Sequence, residues 1–304
     1  MHNKIGIKII GANSKKGLKN VSKFLEFIEK IGYRAIEIRP DDFDLIECGN
    51  INEKFLKEVV KIIEVFEFEI SVHVPIRLNL FNKEQRQIHE KVLISSLEIC
   101  RELGSQMLVY HPGRYVDNVE FPRFGKPELS RDEKNELMEM EREKISSLAK
   151  KYEDVTIAIE NHRPYLDYSP YSYGEFIDEL IFQVKKINQK NVKITLDTGH
   201  LNLSAKYHNF DIIKAIKDAK PYTSHVHLQD NHGITNFYTE KDKGEMLPFG
   251  RGDEHIVPGR GNFPFKEFFK IFNDYNGMYT IELSSRYLVK EKIKEAYEYV
   301  SNFV

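Results

Sequence analysis

Six carboxylate- or imidazole-bearing residues stand at the C-terminal ends of six predicted β-strands. They are His73 in SVHVP, His111 in LVYHPG, Glu160 in IAIEN, Asp197 in ITLDTGH, His227 in HVHLQD and Glu282 in TIELS. Imidazole nitrogens and carboxylate oxygens are the donors that hold Zn²⁺, Mn²⁺ and related ions. A barrel of eight βα units assembles its active site from the ends of several different strands. The pattern therefore points to a metal centre at the C-terminal mouth of such a barrel.

Other residues add to this set. His200 follows Asp197 by three positions in DTGH; an aspartate there can also cap a turn or helix, but the other strand-end donors favour the ligand reading. Asp253 and His255 form a D-x-H pair in a loop, followed by PGRG, whose glycines permit close backbone approach. Alone, that pair reads equally well as solvated charge. Asp230 is placed to hold a ring nitrogen of His227. His225 shares the face of His227 one layer deeper, as a core or supporting histidine. His111 is followed by Pro-Gly and His73 by Pro75, so the chain turns where each strand ends. His2, His89 and His208 read as surface residues, while His162 and His232 lie in loops on the catalytic face. Glu37 ends the second strand beside Arg39 and either lines the site or forms an internal ion pair.

The elements that must position these side chains are legible from periodicity. Strand patterns cover 4–10, 34–39, 69–74, 106–111, 155–160, 192–197, 222–228 and 278–283. Helical patterns cover 18–31, 53–66, 84–103, 131–152, 173–188, 209–219, 264–275 and 286–302. In 18–31, Val21, Phe24, Leu25 and Ile28 follow the i, i+3, i+4, i+7 stripe. Strict alternation implies parallel strands joined by crossover helices, and eight pairs close a barrel. A doubly wound open sheet is the alternative, but no Gly-rich nucleotide-binding turn follows the first strand. The expected fold is an α/β (β/α)8 TIM barrel, one domain over 1–304. Its long βα connections are 112–130 after the fourth strand and 230–262 after the seventh, and long connections on the catalytic face carry function.

Strand parity tests the assignment independently, because residues two apart share a face. Two before each strand-end candidate stand Ser71, Val109, Ala158, Thr195, His225 and Thr280, mostly small or hydroxylic, as a tight barrel interior requires. The opposite parity carries Val72, Ile159, Leu196, Val226 and Ile281, which belong beneath a helix layer. The arginines Arg39, Arg77, Arg114, Arg123, Arg163, Arg251, Arg260 and Arg286 all follow strand ends or lie in the long connections. Guanidinium groups there suit an anionic or polyhydroxy ligand, or neutralise the acidic ligands. Arg77, Arg114, Arg163, Arg260 and His162 are the candidate substrate-binding residues.

Composition fits a globular protein with a sizeable core: 41 % hydrophobic, 30 % charged, net charge −2. That balance disfavours a nucleic-acid binder without excluding a local basic patch. Cys48 and Cys100 show no metal-type spacing, and two cysteines do not make a disulfide scaffold, so a reducing cytoplasm is the expected location. The first residues show no secretory h-region, and no apolar run approaches a membrane span. The helix faces leave room for a homodimer.

The ordered set YHPG, IEN, LDTGH, HLQDNHG, DEH-x3-G-x-G-N and IEL resembles the xylose-isomerase-like TIM barrels over nearly the whole chain. That superfamily includes sugar and sugar-phosphate isomerases and epimerases, and the endonuclease IV type of abasic-site endonuclease. In the endonuclease pattern the resemblance implies three zinc ions on His73, His111, Glu160, Asp197, His200, His227, Asp253, His255 and Glu282. In the isomerase and epimerase branch it implies one divalent ion on Glu160, Asp197, His227 and Glu282, with the two glutamates exchanging protons beside a carbonyl. HLQDN-x-G resembles the isomerase branch more closely. Asn231 stands where the endonuclease pattern prefers lysine, His162-Arg163-Pro164 follows IEN in place of Thr and small residues, and 232–254 is a long insertion.

Three function classes follow. The first is a metal-dependent isomerase or epimerase for a sugar, sugar phosphate or related polyol, with Glu160 and Glu282 as the catalytic pair and one to three Zn or Mn ions. The second is a zinc phosphodiesterase acting on abasic-site DNA. The third is a metal-binding barrel with lyase or dehydratase chemistry, or a non-catalytic binding module.

Overall fold

Apolar residues alternate with small or polar ones along each short strand, and the observed sheet follows that alternation. The structure is a computed structural model and describes residues 4–9, 18–116, 128–167, 170–238 and 246–304. Its strands are β1 (Lys4–Lys8), β2 (Ala35–Ile38), β3 (Ile46–Glu47), β4 (Asn50–Ile51), β5 (Glu69–His73), β6 (Met107–Tyr110), β7 (Thr156–Glu160), β8 (Val192–Asp197), β9 (Thr223–Leu228) and β10 (Met278–Ile281). Eight of them close a parallel barrel in the order β1-β2-β5-β6-β7-β8-β9-β10. The open-sheet alternative is thereby excluded.

Around the barrel lie α1 (Leu18–Ile31), α2 (Glu53–Ile63), α3 (Arg86–Glu102), α4 (Arg131–Lys151), α5 (Ile177–Ile187), α6 (Thr198–His208), α7 (Ile212–Ala219), α8 (Phe265–Ile271) and α9 (Lys290–Ser301). The expected stripe of α1 packs inward, with Val21, Leu25 and Ile28 buried and Phe24 half-buried. Val72, Ile159, Leu196, Val226 and Ile281 are fully buried in the core between sheet and helices. On the other parity Ser71, Ala158, Thr195, His225 and Thr280 are equally buried inside the barrel. Among the described residues no helix is long and apolar enough to cross a membrane.

Two elements depart from the expectation. β3 and β4 pair as an antiparallel hairpin, turned by Cys48 and Gly49 at φ 48° and 77°. Two central residues at positive φ are the turn that matches strand twist. The second departure is α6, which starts directly at the end of β8. Asp197 caps it, accepting a hydrogen bond from His200 N at 2.7 Å. Gly199 in its first turn makes room for the Gln229 side chain, whose amide a Cβ there would meet at 2.2 Å.

One buried carboxylate ties the helix layer to the mouth of the barrel. Glu141 of α4 is fully buried. It accepts from Tyr110 Oη at 2.8 Å, Tyr173 Oη at 2.6 Å, Gly113 N at 2.8 Å and Gln183 Nε2 at 3.1 Å. Burial raises its pKa above the usual carboxylate value, and the four donors offset part of that penalty. They also fix the turn of His111-Pro112-Gly113 against α4.

Candidate functional site

Closure of the barrel sets the spacing of the strand-end side chains. Asp197 and His227 are register partners on β8 and β9, and Glu160 lies beside Thr195 on β7 and β8. His73 ends β5, and Glu282 immediately follows β10. All lie at the C-terminal mouth, where a pocket of about 160 Å³ opens. Its lining includes Lys8, His73, His111, Glu160, His200, Asp253, His255 and Glu282.

The nine expected ligands assemble into three neighbouring triads: His73, His111 and Glu160; Asp197, His227 and Glu282; His200, Asp253 and His255. Within each, one donor atom per residue lies within 4.8 Å of the others. Glu160 joins the triads. Its Oε2 lies 2.9 Å from His111 Nε2 and 3.3 Å from His73 Nε2, and its Oε1 3.1 Å from His227 Nδ1. The Oε2 atom is buried yet makes no hydrogen bond of acceptable geometry among the described residues. Imidazole nitrogens gathered around an orphaned carboxylate oxygen are a donor set that fits a divalent cation.

The electrostatics are those of charges forced together. Burial opposes ionisation of Glu160, but the His227 and His111 rings hold its carboxyl well below the usual range. Burial pushes Asp197 up to about 6; the His200 ring pulls it back, and the Glu160 and Glu282 carboxylates add to the rise. Burial also works against charge on His200, yet Asp197 and Asp253 lift it to about 10. Glu282, despite burial, is held down to about 2 by Lys8 and then His227. A divalent ion held here would have to displace protons from His200, His227 and His255, all raised by neighbouring carboxylates, so its uptake would strengthen as pH rises.

The loop triad is held by backbone geometry and one bridging amide. His255 adopts φ 47°, a conformation costing about 1–3 kcal/mol for a residue with a Cβ and characteristic of functional sites. Gln229 Nε2 donates to Asp253 Oδ1 at 2.9 Å and Asp197 Oδ1 at 3.2 Å, linking two of the triads. Arg163 pairs with Asp253 Oδ2 at 3.0 Å and lies over the Tyr165 ring.

Several expectations are corrected. Asp230 does not touch His227. It accepts from the backbone N–H groups of Asn231, Gly259, Gly261 and Phe263 at 2.8–3.2 Å. Glu37 is not paired with Arg39, which binds Asp41 and Asp42 instead. Glu37 faces inward and meets Ser71, His225 and His227. Arg260 is exposed and paired with Glu295, away from the pocket lining. Arg77 is exposed and also outside the lining. Arg114 and His162 do line the pocket, and Arg114 donates to the carbonyls of Ile76 and Arg77. His232 binds Glu254 instead of facing the pocket, and His208 is half-buried against Glu175. His89 is also half-buried, its Nδ1 accepting from Asn79 N. His2 and Arg123 lie outside the described residues.

Sequence reasoning missed Lys8, whose Nζ lies 2.7 Å from Glu282 Oε1. The signal is that Lys8 ends β1, whereas the apolar run in the sequence continues to residue 10. It also missed Tyr165 and Tyr171, which wall the pocket from the loop after β7.

Comparison with known proteins agrees with this architecture. An uncharacterized protein of Methanocaldococcus jannaschii is 28 % identical over 267 residues, spanning 84 % of this chain and 78 % of the relative. A solved D-tagatose 3-epimerase-like protein superposes with a TM-score of 0.70 at 22 % identity, covering 99 % of this chain and 96 % of its own. A probable 3-DHS dehydratase of Bacillus anthracis gives 0.70 at 13 % identity, covering 98 % and 99 %. At such identities the likeness to solved structures carries the fold alone. The family profile described as xylose isomerase-like TIM barrel matches residues 25–303, and with nearly the whole chain matched, the protein belongs to that family.

Proposed function

We propose that the protein is a divalent-metal-dependent isomerase or epimerase acting on a sugar, sugar phosphate or related polyol. One observation carries the reading. Glu160 and Glu282 both line the pocket and approach the same nitrogen, His227 Nδ1, at 3.1 and 3.7 Å, with Asp197 Oδ2 at 3.9 Å. Glu160, Asp197, His227 and Glu282 would hold the ion, which when bound supplies Lewis-acid polarisation of neighbouring substrate oxygens. One glutamate takes the proton from the carbon beside the carbonyl. The other delivers a proton, to the adjacent carbon for isomerisation or to the opposite face of the same carbon for epimerisation. Lys8, Arg114, Arg163 and His162 present hydrogen-bonding groups to the substrate's oxygens, and Tyr165 and Tyr171 shield the pocket from water. Burial, with the His111 and His200 rings adding to it, keeps His162 neutral, its pKa well below the usual value. It therefore both donates and accepts at a hydroxyl.

A second reading, a three-metal phosphodiesterase, is favoured by the three complete triads. Asn231 weighs against it. This residue is buried and bonded to Gly199 O and Asn202, so it offers no cation to a phosphate backbone. The dehydratase class shares the fold and remains the third reading.

The test is turnover by Mn²⁺- or Zn²⁺-loaded protein on a panel of ketoses and sugar phosphates, run beside a duplex bearing one abasic site. Interconversion of at least one sugar, with intact DNA, is expected. Strand cleavage at the abasic site without sugar turnover would replace the proposal with the second reading.

A further inference from the structure

Beneath the ligand cluster, inside the barrel, lies a carboxylate that is not one of the nine candidate ligands. Glu37, at the third position of β2, is fully buried inside the barrel. Its Oε2 atom accepts from Ser71 Oγ at 3.0 Å and lies 3.0 Å from His227 Nε2 and 3.2 Å from His225 Nε2. Ser71 is its register partner on the adjacent β5, whereas the two histidines belong to β9, three strands away round the barrel, so Glu37 reaches them through the interior. The far side of the His227 ring, Nδ1, faces Glu160, Asp197 and Glu282. Thus one imidazole is gripped at Nε2 by a carboxylate below and presents Nδ1 to the carboxylate cluster above.

A metal-binding imidazole needs its other nitrogen held, because that bond sets tautomer, ring orientation and ligand basicity. The sequence offers Asp230 for this task, but that carboxylate is saturated by four backbone N–H groups. From this geometry we infer that Glu37 is the positioning residue of the site: it holds the proton side of His227 at Nε2 and commits Nδ1 to the metal. Ser71 steadies Glu37 from β5, and His225 fills the space beneath. The inference rests on the metal-site reading above.

The experiment uses Zn²⁺-loaded protein with ¹⁵N-labelled histidine, and Co²⁺ titration of wild type and Glu37→Gln. In the wild type, His227 should carry a slowly exchanging proton on Nε2 with Nδ1 bound to zinc. Glu37→Gln should keep the thermal midpoint of the metal-free protein while that proton exchanges faster, and Co²⁺ affinity should fall about 10–100-fold. A proton found on Nδ1 with Nε2 on zinc overturns the inference without any variant. Equal affinity and unchanged exchange in Glu37→Gln overturn it too. Loss of one whole metal equivalent makes Glu37 itself a ligand, which also contradicts it. A wild type that takes up no ion would instead refute the metal site on which the inference stands.

Discussion

Glu160→Gln is expected to lower turnover by about 10²–10⁴-fold, the range attached to removal of a positioned acid–base group. The substitution keeps the shape of the side chain but replaces one carboxylate oxygen with an amide that cannot accept a proton. It also turns an N–H₂ group toward the His73 and His111 nitrogens, or toward His227, since Glu160 reaches all three rings. The far-ultraviolet spectrum and thermal midpoint should stay close to wild type, because the strand backbone around Glu160 is unchanged. Steady-state kinetics with the loaded enzyme check this. Activity equal to wild type would rule out the acid–base assignment and the phosphodiesterase reading together, since Glu160 serves in both.

Replacing Asp230 by Ala should lower stability by at least about 1–3 kcal/mol, the cost of one buried donor left without a partner. Asp230 is fully buried and gathers the N–H groups of Asn231, Gly259, Gly261 and Phe263. Without it those donors are left unpaired or must find water, at about 1–3 kcal/mol for each that stays buried. Gly261 allows the approach, since a Cβ there would meet the Asn231 carbonyl at 2.2 Å. The same loop carries Asp253 and His255, and Asp230 pairs through its backbone with Ile256 just beyond them. Urea unfolding should therefore show the loss, and activity should drop with it. A midpoint within experimental error of wild type would mean that the loop holds itself without this anchor.

Much of this architecture was legible because donors interrupt apolar alternation at strand ends. His73, Glu160, Asp197 and His227 each terminate a run of β-formers, and barrel closure then brings such residues together whatever their separation in sequence. What escaped was what periodicity does not encode. Helix α6 is buried on every face from Thr198 to Ala205, so it has no polar stripe to show a 3.6-residue period. Its signals were local: Asp197 as cap, and Asn209 at φ 53° closing the far end. The reading of Asp197 as either cap or ligand was a false choice, for Oδ1 caps His200 N while the side chain also faces His227. The partners of Glu37 lie 34 to 190 residues away, and only closure and register reveal them. Arg77 and Arg260 lie in connections that follow strand ends, but a loop position does not say which way a long side chain turns.

The central claim, that the strand-end cluster is a metal centre, is tested most directly by counting metal in the protein. Protein purified without chelator or added metal, then reconstituted at a pH near 8, would be measured by elemental analysis beside Asp197→Asn. At least one equivalent of zinc, manganese or cobalt is predicted in the wild type, with a reduced content in Asp197→Asn. One equivalent accords with the Glu160, Asp197, His227 and Glu282 set, and three with all the triads filled. No bound metal after reconstitution would contradict the account.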